Sequence, residues 1–181
     1  MVPGRESIGG EDRLTARSDE IRIRLTMIGD CDVKLELGHL VLNIKSLDVS
    51  VPFYRNVLRM RLRRRGKVNG RQMAFLSFGS KDHDIGLLEI GASAHPQDDT
   101  RVGLRHVAFR IGDRIEQLHA FKKHLDVLGI TPRRTSEHRT SRSIYVQDPD
   151  GIELEVYVES ETPIWDAAGE IEVTNPQIHL D

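Results

Sequence analysis

A histidine on a short apolar strand occurs twice in this chain, and each time a glutamate on a second apolar strand follows about fifty residues later. The first copy reads Leu37-Gly38-His39-Leu40-Val41-Leu42-Asn43-Ile44 and the second Leu104-Arg105-His106-Val107-Ala108-Phe109-Arg110-Ile111, so His106 follows His39 by 67 residues. The matching strand ends, Leu88-Glu89-Ile90 and Leu154-Glu155-Val156, stand 66 apart. A near-constant offset between two separated landmarks marks a duplicated module. Each module carries one potential metal ligand on its first strand and another on its last.

The elements between these landmarks repeat in order. After the strand Leu37–Ile44, Asp48 or Ser50 can cap a helix that tolerates Pro52 in its first turn. Phe53, Val57 and Met60, joined by Tyr54 and Leu58, supply its apolar stripe. Short strands follow around Leu62, at Met73–Phe78 and at His83–Ile90, separated by Val68-Asn69-Gly70 and Gly79-Ser80-Lys81-Asp82. In the second module Asp113 can cap a helix with Leu118, Phe121, Leu125 and Leu128 at helical spacing and Gly129 at its end. Strands at Ser141–Gln147 and Gly151–Val158 flank the turn Asp148-Pro149-Asp150-Gly151. Each module therefore reads βαβββ, an α+β arrangement. Residues 1–34 form a polar arm in which Ile21–Ile28 can add an edge strand. The domain spans 35–166, with modules at about 35–92 and 102–160. A tail follows at 167–181, and Trp165 is expected to pack back on the domain.

The totals exclude several classes of function. A net charge of −2, with 30% of residues charged, gives no footprint for nucleic acid or an anionic membrane. The arginines from Arg61 to Arg65, interrupted by Leu62, read as a solvated strand edge or loop. A single cysteine, Cys31, rules out an internal disulfide. No signal peptide or membrane span is legible, so a cytoplasmic protein is expected.

Strand alternation sets which side chains share a face. His39 shares one with Val41 and Asn43, His106 with Ala108 and Arg110, and Glu155 with Glu153 and Tyr157. An apolar face lies opposite each candidate ligand and is expected under the helices. By the same parity His83, Ile85, Leu87 and Glu89 share a face. Paired modules would then form a cup lined by His39, His83, His106, Tyr145 and Glu155, with Ile85 and Leu87 between them, suited to a small, partly aromatic substrate. His95, His119, His124 and His179 read as solvated surface.

The motifs LGHLVLNI, SVPFYRNVL, GLRHVAFRI and YVQDPDGIELEVYV resemble the vicinal oxygen chelate superfamily, whose two paired βαβββ modules form a cupped mixed sheet around a metal site. Arg59 departs from the glycine frequent after the first helix, which bears on a helix end and not on chemistry. Within the superfamily the chain is most similar to type I extradiol ring-cleavage dioxygenases. That likeness implies Fe(II) held by His39, His106 and Glu155, with His83, His138 and Tyr145 as catalytic groups. Two imidazoles and a carboxylate leave coordination positions for a bidentate diol and O2. The implied reaction is oxidative ring opening of a catechol-type aromatic diol to a semialdehyde-type product.

Two other readings follow from the same likeness. Glu89 aligns with Glu155 in the repeat, and a glyoxalase I-like lyase or isomerase would use His39, Glu89, His106 and Glu155 around Ni, Zn or Mn. Some superfamily members bind a drug without metal or catalysis. Exposed strand edges also allow a homo-oligomer.

Overall fold

The computed structural model describes residues 34–98, 100, 102–138 and 140–159. The arm strand expected at Ile21–Ile28, Cys31, Trp165 and His179 lie outside the described residues. The described residues from Gly38 onward form one compact unit that holds both modules. The first module runs β1 (Leu40–Ile44), α1 (Leu47–Val57), β2 (Arg61–Val68), β3 (Arg71–Ser77) and β4 (Ile85–Glu89). The second runs β5 (His106–Gly112), α2 (Ile115–Val127), β6 (Arg134–His138), β7 (Ser141–Gln147) and β8 (Glu153–Glu159). Each module is thus βαβββ, as its sequence implies, and β6, which carries His138, is the strand that hydrophobic alternation did not disclose.

Each module folds one mixed four-stranded sheet, ordered β1-β4-β3-β2 in the first and β5-β8-β7-β6 in the second. First and last strands pair in parallel, β1 with β4 and β5 with β8, and the remaining pairs are antiparallel. The parallel pairing needs a crossover, which the helix and the two middle strands provide. Among the described residues no helix is long and apolar enough to cross a membrane.

The faces opposite the candidate ligands are buried under the helices. Leu42, Ile44, Leu76, Ile85 and Leu87 pack with Leu47, Val51, Tyr54 and Val57 of α1. Val107, Ile144, Val146, Leu154 and Val156 pack with Leu118 and Leu125 of α2, and all belong to one cluster. Burying a side chain of this size stabilises by roughly 1.5–3 kcal/mol. This placement corrects the expected cup wall: Ile85 and Leu87 are 1% and 0% exposed in the core. The reason is that β4 begins at Ile85, so His83 precedes the strand and its parity does not carry through.

The helix starts also differ from expectation. α1 begins at Leu47 with Ser46 at its cap, so Pro52 sits inside the helix and not in its first turn. Ser50 is instead buried and its hydroxyl meets Asp150 at 3.3 Å. Arg114, not Asp113, precedes α2, and Gln117 Oε1 accepts from the backbone N–H groups of both, at 3.1 and 3.0 Å. The turn Asp148–Gly151 ties the modules together. Tyr54 donates its hydroxyl to Asp148 at 3.0 Å, and Lys45 N–H donates to Asp150 at 3.1 Å. Phe78 meets Phe109 edge-on at 5.5 Å.

Candidate metal centre

In the second module the parallel register sets Ala108 against Glu155 and His106 against Glu153, so His106 and Glu155 share a face on adjoining strands. His106 Nε2 lies 3.1 Å from Glu155 Oε2. Two ligand atoms bound at about 2.1 Å and at right angles on one ion stand about 3 Å apart, so this pair has the spacing of adjacent ligands. Glu155 is buried and accepts from the Ser143 hydroxyl at 2.5 Å. His106 Nδ1 is buried without a hydrogen-bond partner among the described residues. Among the described residues no lysine or arginine pairs with Glu155, and an imidazole beside a buried carboxylate is a donor set that fits a divalent ion.

Around this pair lies a hydrogen-bonded row from β6 and β7. Tyr145 stands directly opposite Glu155 in the antiparallel register. Ser136 lies 3.4 Å from the Tyr145 hydroxyl and 3.2 Å from His138 Nε2. His138, Ser136, Tyr145 and Glu155 are therefore connected. Burial pushes the Tyr145 phenol above the usual tyrosine range, and the Glu155 carboxylate adds to the shift. The phenol consequently stays protonated at neutral pH and can donate. Arg134 lies 3.3 Å from the Tyr145 ring centroid and donates to Glu153 at 2.8 Å. Strand parity places Ser143 on the face of Tyr145 without giving it a role, and sequence reasoning missed Ser136 and Arg134, whose register against β7 was the signal that could have found them.

The first module forms a separate half. His39 is exposed just before β1, and its ring lies tilted against His83 with centroids 4.5 Å apart. Phe75 meets His83 edge-on at 5.0 Å. Among the described residues no three His, Cys, Asp or Glu side chains converge so as to hold one ion. One chain thus brings together His106, Glu155, Tyr145 and His138, and separately His39 and His83, but does not join the two groups. His95 and His119 are exposed. His124 is not merely solvated, since it meets the Asn56 carbonyl at 2.7 Å and Arg59 at 3.3 Å.

The register also corrects the alignment of Glu89 with Glu155. Two residues past His106 stands Ala108, opposite Glu155; two past His39 stands Val41, opposite Gly86. Gly86, not Glu89, is the counterpart of Glu155. Glu89 pairs with the core residue Ile44 and turns to the helix side, where Oε2 accepts from Leu47 N–H at 2.7 Å. Its carboxylate caps the start of α1 and offsets the positive end of the helix dipole. A side chain at Gly86 would meet Met73 Cε at 2.5 Å, so the space over Gly86, next to Val41, is already taken by the end of the methionine side chain.

Comparison with known proteins agrees with this architecture. Over 128 residues the chain is 24% identical to biphenyl-2,3-diol 1,2-dioxygenase 2 of Rhodococcus globerulus, covering 69% of this chain and 63% of that protein. The matched stretch therefore spans under two thirds of that dioxygenase. Over 127 residues it is 31% identical to lactoylglutathione lyase of Neisseria meningitidis serogroup A, covering 67% and 88%. It is 29% identical over 128 residues to metallothiol transferase FosB of Lysinibacillus sphaericus, covering 67% and 80%. The crystal structure of a glyoxylase/bleomycin resistance protein/dioxygenase domain from Frankia sp. EAN1pec superposes with a TM-score of 0.63 at 24% identity, over 72% of this chain and 96% of that one. Residues 36–156 match one family model, and the chain belongs to the Glyoxalase/Bleomycin resistance protein/Dioxygenase superfamily.

Proposed function

We propose that this chain is an Fe(II)-dependent extradiol dioxygenase that opens the ring of a catechol-type diol with O2. The observation that carries this reading is the substitution of Gly86 for a fourth ligand: the repeat supplies a carboxylate only at Glu155. Three protein ligands, His39, His106 and Glu155, leave room for a two-oxygen substrate and dioxygen, whereas a four-ligand lyase would need a carboxylate at position 86. The half-buried, helix-side position and the capping bond of Glu89 argue against it as the other candidate for that fourth place.

The third ligand then comes from a second copy. β1 and β5, the strands that His39 precedes and His106 begins, are both sheet edges. Docking the first module of one chain on the second module of another would bring His39 and His83 to His106 and Glu155. Two such sites form per dimer.

When bound, Fe(II) supplies positions for the diol and O2 and a route for electron density between them. His106 and Glu155 would hold the ion, and Ser143 fixes the Glu155 carboxylate by donating to it. His83 Nε2 takes a proton from a diol hydroxyl. The protonated Tyr145 hydroxyl donates to a substrate oxygen, and His138 exchanges protons with it through Ser136. Phe75 and Met73 exclude water on the side of the first module.

Oxygen uptake by anaerobically Fe(II)-loaded protein against catechols and dihydroxybiphenyls tests the reading. Uptake with a yellow ring-opened product supports it. Metal-bearing protein that consumes no oxygen with any diol, but transfers a thiol or isomerises a hemithioacetal, contradicts it.

A further inference from the structure

A closed circuit of contacts surrounds His83. Both arms of Arg64 grip the Asp82 carboxylate, Nη1 to Oδ1 and Nη2 to Oδ2, each at 2.8 Å. The same Oδ2 lies 2.8 Å from His83 Nδ1. The Arg64 guanidinium lies over the Phe75 ring, 4.8 Å from its centroid, and Phe75 in turn meets His83 edge-on. Arg64, Asp82, His83 and Phe75 therefore close on one another across β2, β3 and the turn before β4.

A β-bulge makes this circuit. The register of β2 against β3 shifts between Leu62 and Arg64, so Arg64 stands opposite Phe75 and Arg65 opposite Ala74. Without the extra residue Arg63 would oppose Phe75, and Arg64 would oppose Ala74 on the helix side. Bulges re-aim side chains in this way beside functional sites.

An exposed ion pair contributes little to stability, and Arg64 and Asp82 are 53% and 57% exposed. The pair instead controls a ring that is only 17% exposed. The hydrogen bond from His83, and then Arg64, hold the Asp82 carboxyl below its ordinary range, so it is an acceptor at neutral pH. An ionised carboxylate only accepts, and the nitrogen facing it must carry the proton. In the neutral ring the other nitrogen, Nε2, is then a lone pair, on a ring that lies tilted against His39.

We propose that Arg64, Asp82 and Phe75 are positioning residues that fix His83 as the Nδ1–H tautomer and leave Nε2 as the proton acceptor of the site. The catalytic consequence rests on the reading of His83 as the group that takes the diol proton; the tautomer does not.

Long-range nitrogen–proton NMR of metal-free protein, at a pH where the ring is neutral, reads the tautomer directly, with His83→Gln identifying the signals. The Nδ1–H form is expected in the parent chain and is lost in Asp82→Ala, with Arg64→Gln in between. In Fe(II)-loaded protein Asp82→Ala should lower kcat about ten- to a hundredfold with KM for the diol and bound iron little changed. An Nε2–H ring in the parent chain, a tautomer unmoved by both substitutions, or a moved tautomer with unchanged kcat overturns the proposal. Because the tautomer is read without substrate, failure of the circuit is distinguishable from failure of the dioxygenase reading.

Discussion

Gly86 stands in the first module where Glu155 stands in the second, each opposite the residue two places past its module's histidine. The duplication therefore supplies two histidines and one carboxylate, not two of each. Glu89 has become a structural group of α1. Glu89→Ala should lower stability by about 1 kcal/mol through loss of the Leu47 N–H partner and leave bound metal per chain unchanged. Urea denaturation and metal analysis of the same preparation check both. Loss of metal with unchanged stability would restore Glu89 as a ligand.

His106→Ala should abolish metal binding, because in the proposed site His106 and Glu155, 3.1 Å apart, are the two ligands that one chain brings together among the described residues. Tyr145→Phe should retain the metal while turnover falls by roughly a hundredfold, the usual scale for loss of a positioned proton donor. Metal analysis beside oxygen uptake separates the two effects.

Much of this was legible from residue order. The repeat of His39 and His106 disclosed both modules, and the apolar faces opposite them lie under the helices as alternation requires. What failed was parity across a strand end. His83 lies outside β4, so grouping it with Ile85 and Leu87 placed core residues in the cup. The offset of 66 misaligned Glu89 for a related reason: insertions between β1 and β4 differ from those between β5 and β8, and only the parallel register reveals the counterpart. The strand β6, Arg134-Thr135-Ser136-Glu137-His138, is too polar for hydrophobic alternation to disclose.

Arg59 has φ of 55° in the left-handed region after α1, where a side chain costs roughly 1 kcal/mol. Arg59→Gly should raise stability by up to about 1 kcal/mol, less the small contact with His124, as read from the urea midpoint. A fall in stability would mean the Arg59 contacts outweigh the strain.

Burial raises the Asp148 carboxyl above the ordinary aspartate range, while Tyr54 donates to it. The folded state thus favours protonated Asp148. Its contribution is fully present below the unfolded value and is lost as pH rises through the raised folded value. The stability of the parent chain relative to Asp148→Asn should decline with pH across that window. Tyr54→Phe should cost about 1–3 kcal/mol by removing the buried donor. Denaturation at a series of pH values checks both; a parent-to-variant difference that grows with pH would contradict the direction of the shift.

The most direct measurement is iron bound per chain in co-expressed His39→Ala and His106→Ala proteins. Each variant alone should bind none. If one site is built from two copies, mixed dimers regain one intact site, and random pairing gives about a quarter of the parent stoichiometry. A mixture that binds no iron, although mixed dimers form, would contradict the completion of the site by a second chain.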